Sequence, residues 1–341
     1  MIDTRLAIAL DAGLTLPSSG GVVAFQTPQT ADLPMLSPAD TTVVHPFKPD
    51  HDRWQAAGFL AAPEPPKTER FQAALVSVPR AKVEAFALIA SAVAISDGVI
   101  VVDGQKTDGI DSVLKAVKAR VDVGGVVSKA HGKLFWFENP GMSAFEDWQA
   151  GPALTAGGFW TAPGVFSADG IDPASALLAD ALPDDLKGTG ADLGAGWGFL
   201  TAHVLVREDV RAVHCVEAHH MALACAEHNV TDPRARFHWA NAVRWAPDAP
   251  LDFVVMNPPF HAGRAAEPAI GQAFIRAAAN MLAPAGTLWM VANRHLPYEP
   301  VLAECFAKTV DLGGDARFKL VMAERPLKGR APRSSGKGGR A

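Results

Sequence analysis

The sequence predicts an α/β protein with two domains in tandem. Three observations carry that prediction. Its 341 residues exceed the span of one ordinary domain. Apolar strand-like runs alternate with helical-period segments in both halves. A glycine-rich turn between a strand and a helix, Asp192-Leu193-Gly194-Ala195-Gly196-Trp197-Gly198, occurs in the second half and has no counterpart in the first.

Residues 1–66 are loosely patterned and proline-rich, with short strand runs at Val22–Phe25 and Thr41–His45. Ala73–Val78 reads as a strand. Val83, Phe86, Ala87, Ile89, Ala90 and Val93 recur at helical spacing, which predicts an amphipathic helix over 80–95. Gly98–Asp103 is a fully apolar strand ending in a carboxylate, Ile110–Ala119 is a helix, and Lys133–Glu138 is a further strand. Residues 139–164 carry Asn139-Pro140-Gly141 and Gly151-Pro152 and read as a linker. In the second half, strands fit 189–193, 211–216, 235–239, 252–256 and 286–292. Helices fit 197–206, 219–229, 269–282 and 298–308, and a hairpin closes 309–323 around Gly313-Gly314. Such alternation predicts a parallel sheet in each domain.

Composition removes several classes. Hydrophobic residues make up 49% and charged residues 20%, which is globular rather than disordered. Cys215, Cys225 and Cys305 lack any C-x-x-C spacing, so neither a disulfide framework nor a cysteine zinc site is expected. His214, His219, His220 and His228 lie near two of these cysteines without zinc-site spacing, and no metal is expected. The longest apolar run, Phe86–Ile95, is about half a membrane span. A soluble cytoplasmic protein with no membrane contact is the expectation. The formal charge of −5 hides a division: −2 over residues 1–145, −8 over 146–326, and +5 over 327–341.

The glycine turn is spaced G-x-G-x-G after Asp192. A dinucleotide fingerprint would need G-x-G-x-x-G. The shorter spacing suits a nucleoside cofactor approached closely by backbone. Val213–Glu217 reads as the next strand and ends in an acid 25 residues after Asp192, placed to accept ribose hydroxyls. Asn241, followed by Ala242, comes after the third strand and could meet a base, although an asparagine there is more often a turn residue.

Leu251–Met256 then runs straight into Asn257-Pro258-Pro259-Phe260. The prolines fix φ and supply no N–H donors, and each holds its predecessor extended. Such a turn presents two acceptors, the Asn257 side-chain oxygen and the Pro258 carbonyl, which suit the two protons of an exocyclic amino group. Phe260 offers a face on which a base can stack.

Together these motifs resemble class I S-adenosylmethionine-dependent methyltransferases acting on amino nitrogens. More closely, the chain resembles bacterial ribosomal RNA guanine-N2 methyltransferases of the RsmC/RlmG type. The matching segments in the second half are Gly164–Ser167, Asp169–Asp172 with Ser175, Leu177 and Leu178, then Asn257–His261, Val291–Asn293 with Leu296–Tyr298, and Arg317–Lys319. In the first half, Val78–Lys82, Gly98–Gly104, Gly109 and Ser112 match the family's N-terminal domain. Ala195, where many relatives have cysteine, and Ala262, where an acid is usual, depart from the pattern.

The resemblance implies two tandem Rossmann-like class I methyltransferase domains, the N-terminal one degenerate. Residues 1–145 would be structural and RNA-positioning, 146–326 catalytic, and 327–341 a flexible basic tail. Asp192, Gly194, Gly196, Gly198, Glu217, Asn241 and Ala242 would bind S-adenosyl-L-methionine, and Asn257, Pro258 and Phe260 would be catalytic. His261, Arg264, Arg294, Arg317 and Lys319 are expected at the substrate. The implied reaction is methylation of guanine N2 in 16S rRNA by a monomer acting on ribosomal RNA or a subunit. Alternatives are a large-subunit guanine, adenine N6, a release-factor glutamine, or a non-catalytic RNA-binding assembly role.

Overall fold

The computed structural model describes residues 2–327 except 19, 29, 30, 32, 260, 263, 264 and 267, with backbone alone at 261, 262, 265 and 266. The expectations for Phe260, Arg264 and the tail from residue 328, and for the His261 side chain, lie outside the described residues. Two compact units form, Met1–Gly170 with Ala218–Cys225, and Ile171–Glu217 with Ala226–Ala341.

The first unit runs α1 (Ile2–Asp11), β1 (Val22–Phe25), β2 (Thr41–Val44), α2 (Lys48–Ala56), β3 (Leu60–Ala62), β4 (Phe71–Ser77), α3 (Lys82–Ile95), β5 (Ser96–Gln105), α4 (Ile110–Lys118), β6 (Gly125–Lys129) and β7 (Gly132–Glu138). A short hairpin, β8 (Ala153–Leu154) and β9 (Trp160–Thr161), follows. The second runs α5 (Pro173–Ala181), β10 (Gly188–Leu193), α6 (Phe199–Leu205), β11 (Val210–Glu217), α7 (His220–Asn229), β12 (Ala235–Trp239) and β13 (Leu251–Met256). It continues with β14 (His261–Ala262), β15 (Ala265–Ala266), α8 (Pro268–Met281), β16 (Leu282–Asn293), α9 (Glu299–Cys305), β17 (Phe306–Gly314) and β18 (Phe318–Pro326). Helix α7 is shared between the units by this division.

Both large sheets have seven strands in one topology, β3-β2-β1-β4-β5-β7-β6 and β12-β11-β10-β13-β16-β18-β17. The expected parallel sheet needs a correction: five strands are parallel, β7 and β18 run antiparallel to them, and the edge strands β6 and β17 pair antiparallel with those two and so run with the five. Hairpins make that reversal. In β6–β7 a two-residue turn places Ala130 at φ 50 and His131 at φ 56, the twist that matches paired strands.

Besides the added strand β6, the first unit differs from expectation in three places. Helices α1 and α2 lie in the stretch read as loose. Residues 139–164 are more than a linker, because Phe145 and Trp148 are buried and Trp148 stacks on Phe86 at 3.9 Å. The compact unit accordingly extends to Gly170 rather than 145. In α3, Val83 is 60% exposed while Ala85 and Ala92 are buried, since the helix is apolar nearly all round and its sequence does not fix which side faces in.

The second unit packs β10, β11, β13 and β16 against α8 and α9. Val216, Val254, Met256, Ile275, Leu288 and Met290 share one core there. Among the described residues, no helix is long and apolar enough to cross a membrane.

Candidate active site

The site sits where four parallel strands end together. Register pairs Leu193 with Val216, Asp192 with Val255, and Met256 with Met290, so the segments after β10, β11, β13 and β16 leave the same edge of the sheet. Ligands in open α/β sheets bind outside this edge.

After β10 the chain turns on three left-handed residues, Gly194 (φ 76), Gly196 (φ 57) and Gly198 (φ 89). A side chain is strained at such angles, which is why glycine stands at all three. The Gly194 and Ala195 N–H groups donate to the Val216 carbonyl at 2.9 and 3.1 Å. A Cβ on Gly194 would meet the Phe274 ring at 3.4 Å and Pro259 Cδ at 3.9 Å, so the glycine turn lies beside the proline turn. A Cβ on Gly196 would meet nothing within 4 Å, so its bare backbone faces open space. Gly198 caps α6.

Glu217 closes β11 and takes the Gly196 N–H on Oε2 at 2.8 Å, which ties the strand-end acid to the glycine turn. Asp192 is fully buried. Thr201 Oγ1 donates to its Oδ2 at 2.8 Å, and Oδ1 has no hydrogen-bond partner among the described residues. Burial, only partly offset by Thr201, pushes this carboxyl up to about 7. An open glycine cradle beside a ribose-height acid, with an unsatisfied buried oxygen beneath, fits a nucleoside cofactor with a cationic end.

Asn241 and Ala242 follow β12. The Asn241 side-chain oxygen accepts the Val243 N–H at 3.0 Å, so it shapes a turn. Ala242 is buried in the core, leaving only its backbone for a ligand.

Asn257 follows β13. Its Nδ2 donates to Asp172 Oδ2 and to Ser175 Oγ, both at 2.9 Å. Asp172 is the N-cap of α5, and the same Oδ2 accepts the Ser175 N–H at 2.8 Å, with Pro173 in the first turn. Both amide hydrogens are thereby engaged, and Oδ1 remains the acceptor of the turn. The sequence reading gave roles to neither Asp172 nor Ser175. The signal available was the Asp-Pro-x-Ser start of a helix, which marks a cap and says nothing of what else the cap holds. It also passed over Thr201.

The basic residues divide. Arg294 Nε donates to the Asp315 carbonyl at 2.9 Å and Nη2 to those of Gly313 and Phe318, which pins the β17–β18 turn. Arg317 is exposed and lies over the Phe318 ring at 5.0 Å. Lys319 is a correction: its ammonium is buried, donating to the Leu296 carbonyl at 2.6 Å and to Glu299. It holds the segment after β16 instead of facing a substrate. His214 Nδ1 and His238 Nε2 lie 2.9 Å apart beside Trp245, and burial depresses His214 to about 4. Among the described residues no group of three or more His, Cys, Asp or Glu could hold a metal.

Residues 156–322 match the family model described as methyltransferase small domain. The ribosomal RNA small subunit methyltransferase C of Actinobacillus succinogenes is 31% identical over 227 residues, 65% of this chain and 68% of that protein. Its counterpart from Shewanella loihica is 30% identical over 272 residues, 76% of this chain and 79% of that one. The ribosomal RNA large subunit methyltransferase G of Shewanella oneidensis is 28% identical over 67% of this chain and 63% of its own length. Among solved structures, the 16S rRNA N2 methyltransferase RsmC of T. thermophilus, in complex with AdoMet and guanosine, superposes with a TM-score of 0.76. It is 25% identical, and the match covers 91% of this chain and 90% of that one. With its paired seven-stranded sheets and these relatives, the chain belongs to the RsmC/RlmG-type family of ribosomal RNA methyltransferases.

Proposed function

We propose that this protein transfers a methyl group from S-adenosylmethionine to the exocyclic N2 of a guanine in small-subunit ribosomal RNA. The observation that carries the reading is the fixed Asn257 amide, whose Oδ1 is left as an acceptor beside the glycine turn. An acceptor there receives an N–H of an amino group and repels a keto oxygen. When bound, the cofactor supplies a methyl already activated on a sulfonium sulfur, so this chain's work is placement rather than base catalysis.

Asp192, Gly194, Gly196, Gly198 and Glu217 are the proposed cofactor residues. Asn257 and Pro258 hold the target nitrogen through side-chain and main-chain oxygens, and Phe260 stacks on the base. A guanine within folded RNA reaches this turn only if it is flipped from its stack. His261, Arg264 and Arg317 are proposed RNA contacts with the basic tail from residue 327, and Arg294 acts by holding the hairpin that presents Arg317.

We assign the first unit a structural and RNA-positioning role. Gln26 follows β1 as Gly194 follows β10: its φ is 49, and its N–H donates to the end of the neighbouring strand, Val44, at 2.9 Å. But a side chain stands where Gly194 is bare, and Gln26 Nε2 is spent on Glu84 at 2.7 Å. That filled turn supports a cofactor site present only in the second unit. A monomer working in the cytoplasm fits the reading.

The likeness to a large-subunit enzyme supports a second reading, a guanine of 23S rRNA. The test incubates the protein and labelled S-adenosylmethionine with unmodified small subunits, large subunits, naked ribosomal RNA and a release factor, followed by nucleoside analysis. Label as N2-methylguanosine from the small subunit is expected. Label confined to the large subunit selects the second reading; label on protein or on adenine overturns both.

A further inference from the structure

We propose that Asp172 and Ser175 are positioning residues that set the polarity of the catalytic turn, and thereby its preference for a base that bears an amino group. The inference rests on the reading that Asn257 faces the target nucleobase. A carboxamide has two ends of almost equal size, one accepting and one donating. A turn that merely contains asparagine could present either. Here both Nδ2 hydrogens have acceptors at 2.9 Å, Asp172 Oδ2 and Ser175 Oγ, so the oxygen end is the one turned away from α5.

A flipped amide is penalised twice. It gives up both bonds and sets Asn257 Oδ1 against Asp172 Oδ2, acceptor against acceptor. Nor is Asp172 able to swing aside cheaply. The same Oδ2 caps α5 through the Ser175 N–H at 2.8 Å, and Pro173 fixes the backbone just behind it. Asp172 and Ser175 are three residues apart at one helix start, so a rigid element carries both anchors. Local sequence around Asn257 holds neither of them; they stand 85 and 82 residues away.

The consequence is chemical selectivity at the target. Guanine offers a 2-amino group to the fixed oxygen, whereas hypoxanthine has only hydrogen at that carbon. Once the anchors are removed, the amide samples both orientations, and part of the population presents a donor that repels the amino group.

The test uses the full chain with four substitutions: Asp172→Ser, Ser175→Ala, the two combined, and Asp172→Asn. Serine is itself a good cap but is too short to reach Asn257, while asparagine keeps both the cap and an acceptor of the same reach. Turnover on unmodified small subunits, cofactor Kd, thermal midpoint, and inhibition by guanosine and by inosine are measured together. Asp172→Ser and Ser175→Ala should each lower kcat by about 10- to 100-fold, with cofactor Kd changed by less than about threefold. Their preference for guanosine over inosine should shrink, and Asp172→Asn should restore most of both. Unchanged kcat in Asp172→Ser and Ser175→Ala overturns the proposal. So does a loss shared equally by Asp172→Asn with the guanosine preference intact, which is the pattern of a purely structural role. Wild-type protein that methylates no guanine overturns the functional reading instead, a result distinct from either.

Discussion

The carboxylate of Asp172 holds the amide of Asn257 at 2.9 Å across 85 residues of sequence. Around this bond the cap of α5, the end of β13 and the proline turn become one rigid object. Removing the amide tests its role directly. Asn257→Ala should lower kcat by roughly 100- to 1,000-fold, the scale found when one preorganised polar group is deleted from a reacting centre. Cofactor Kd, read by calorimetry, should hold within about threefold, because the glycine turn is untouched. Equal losses in kcat and cofactor binding would remove Asn257 from the chemistry.

The two glycines flanking Trp197 should separate binding from stability. At Gly196 an added Cβ points into open space, so Gly196→Ala costs mainly the left-handed strain, about 1–2 kcal/mol. Its effect on cofactor affinity should be the larger one. At Gly198 a Cβ would press on Ala226 and Val230 at 3.1 Å in addition to the strain. Gly198→Ala should therefore lower the thermal midpoint more than Gly196→Ala does. Calorimetric unfolding and cofactor titration of both variants check the order.

Asp192 makes the stability of the cofactor-free protein depend on pH. Its folded value of about 7 lies above the ordinary 3.8, so the folded chain keeps a proton that the unfolded chain releases across that window. Stability contributed by this group falls as pH rises from about 4 to 7, and is level above that. Asp192→Asn abolishes the slope. The variant's thermal midpoint should gain on wild type from pH 4 to pH 7, and the gap should then stay constant. A gap that ignores pH would sink the assignment.

Arg317 and Lys319 are two residues apart and should behave oppositely. Arg317→Ala should weaken RNA binding and reduce the dependence of log K on log salt by about one unit, as for one lost phosphate contact. Lys319→Met should leave the salt slope alone. It strands the Leu296 carbonyl and should cost about 1–3 kcal/mol of stability. Filter binding across a salt series, with thermal melts, distinguishes them.

In the first unit, Arg5 Nε and Nη2 donate to the two Asp103 oxygens at 2.5 and 2.7 Å in a buried pair. Arg5→Ala should cost about 3–5 kcal/mol, because Asp103 is left buried and unpaired. The double variant Arg5→Met with Asp103→Leu should recover most of that loss, as read by denaturant unfolding.

What was legible follows from where the information lies. Strands such as Leu251–Met256 are buried on both faces, so their apolar runs announce them. Helix α2 has one fully buried large side chain, Trp54, whose indole N–H reaches the Thr27 carbonyl at 3.0 Å; its other residues are polar apart from Pro49 and Ala56. No periodicity marks such a helix. Helix α1 buries Arg5 against Asp103, 98 residues later, and no local pattern announces that pairing.

By itself the sequence determined the strands and most helices of the second unit, the family, and the two turns at the site. Those turns are local: glycine alone tolerates the left-handed angles, and paired prolines allow only one backbone course. Tertiary structure alone decided which end of the Asn257 amide faces outward and that Lys319 is buried. Each of those depends on a partner brought near by folding, and spacing along the chain carries no record of it.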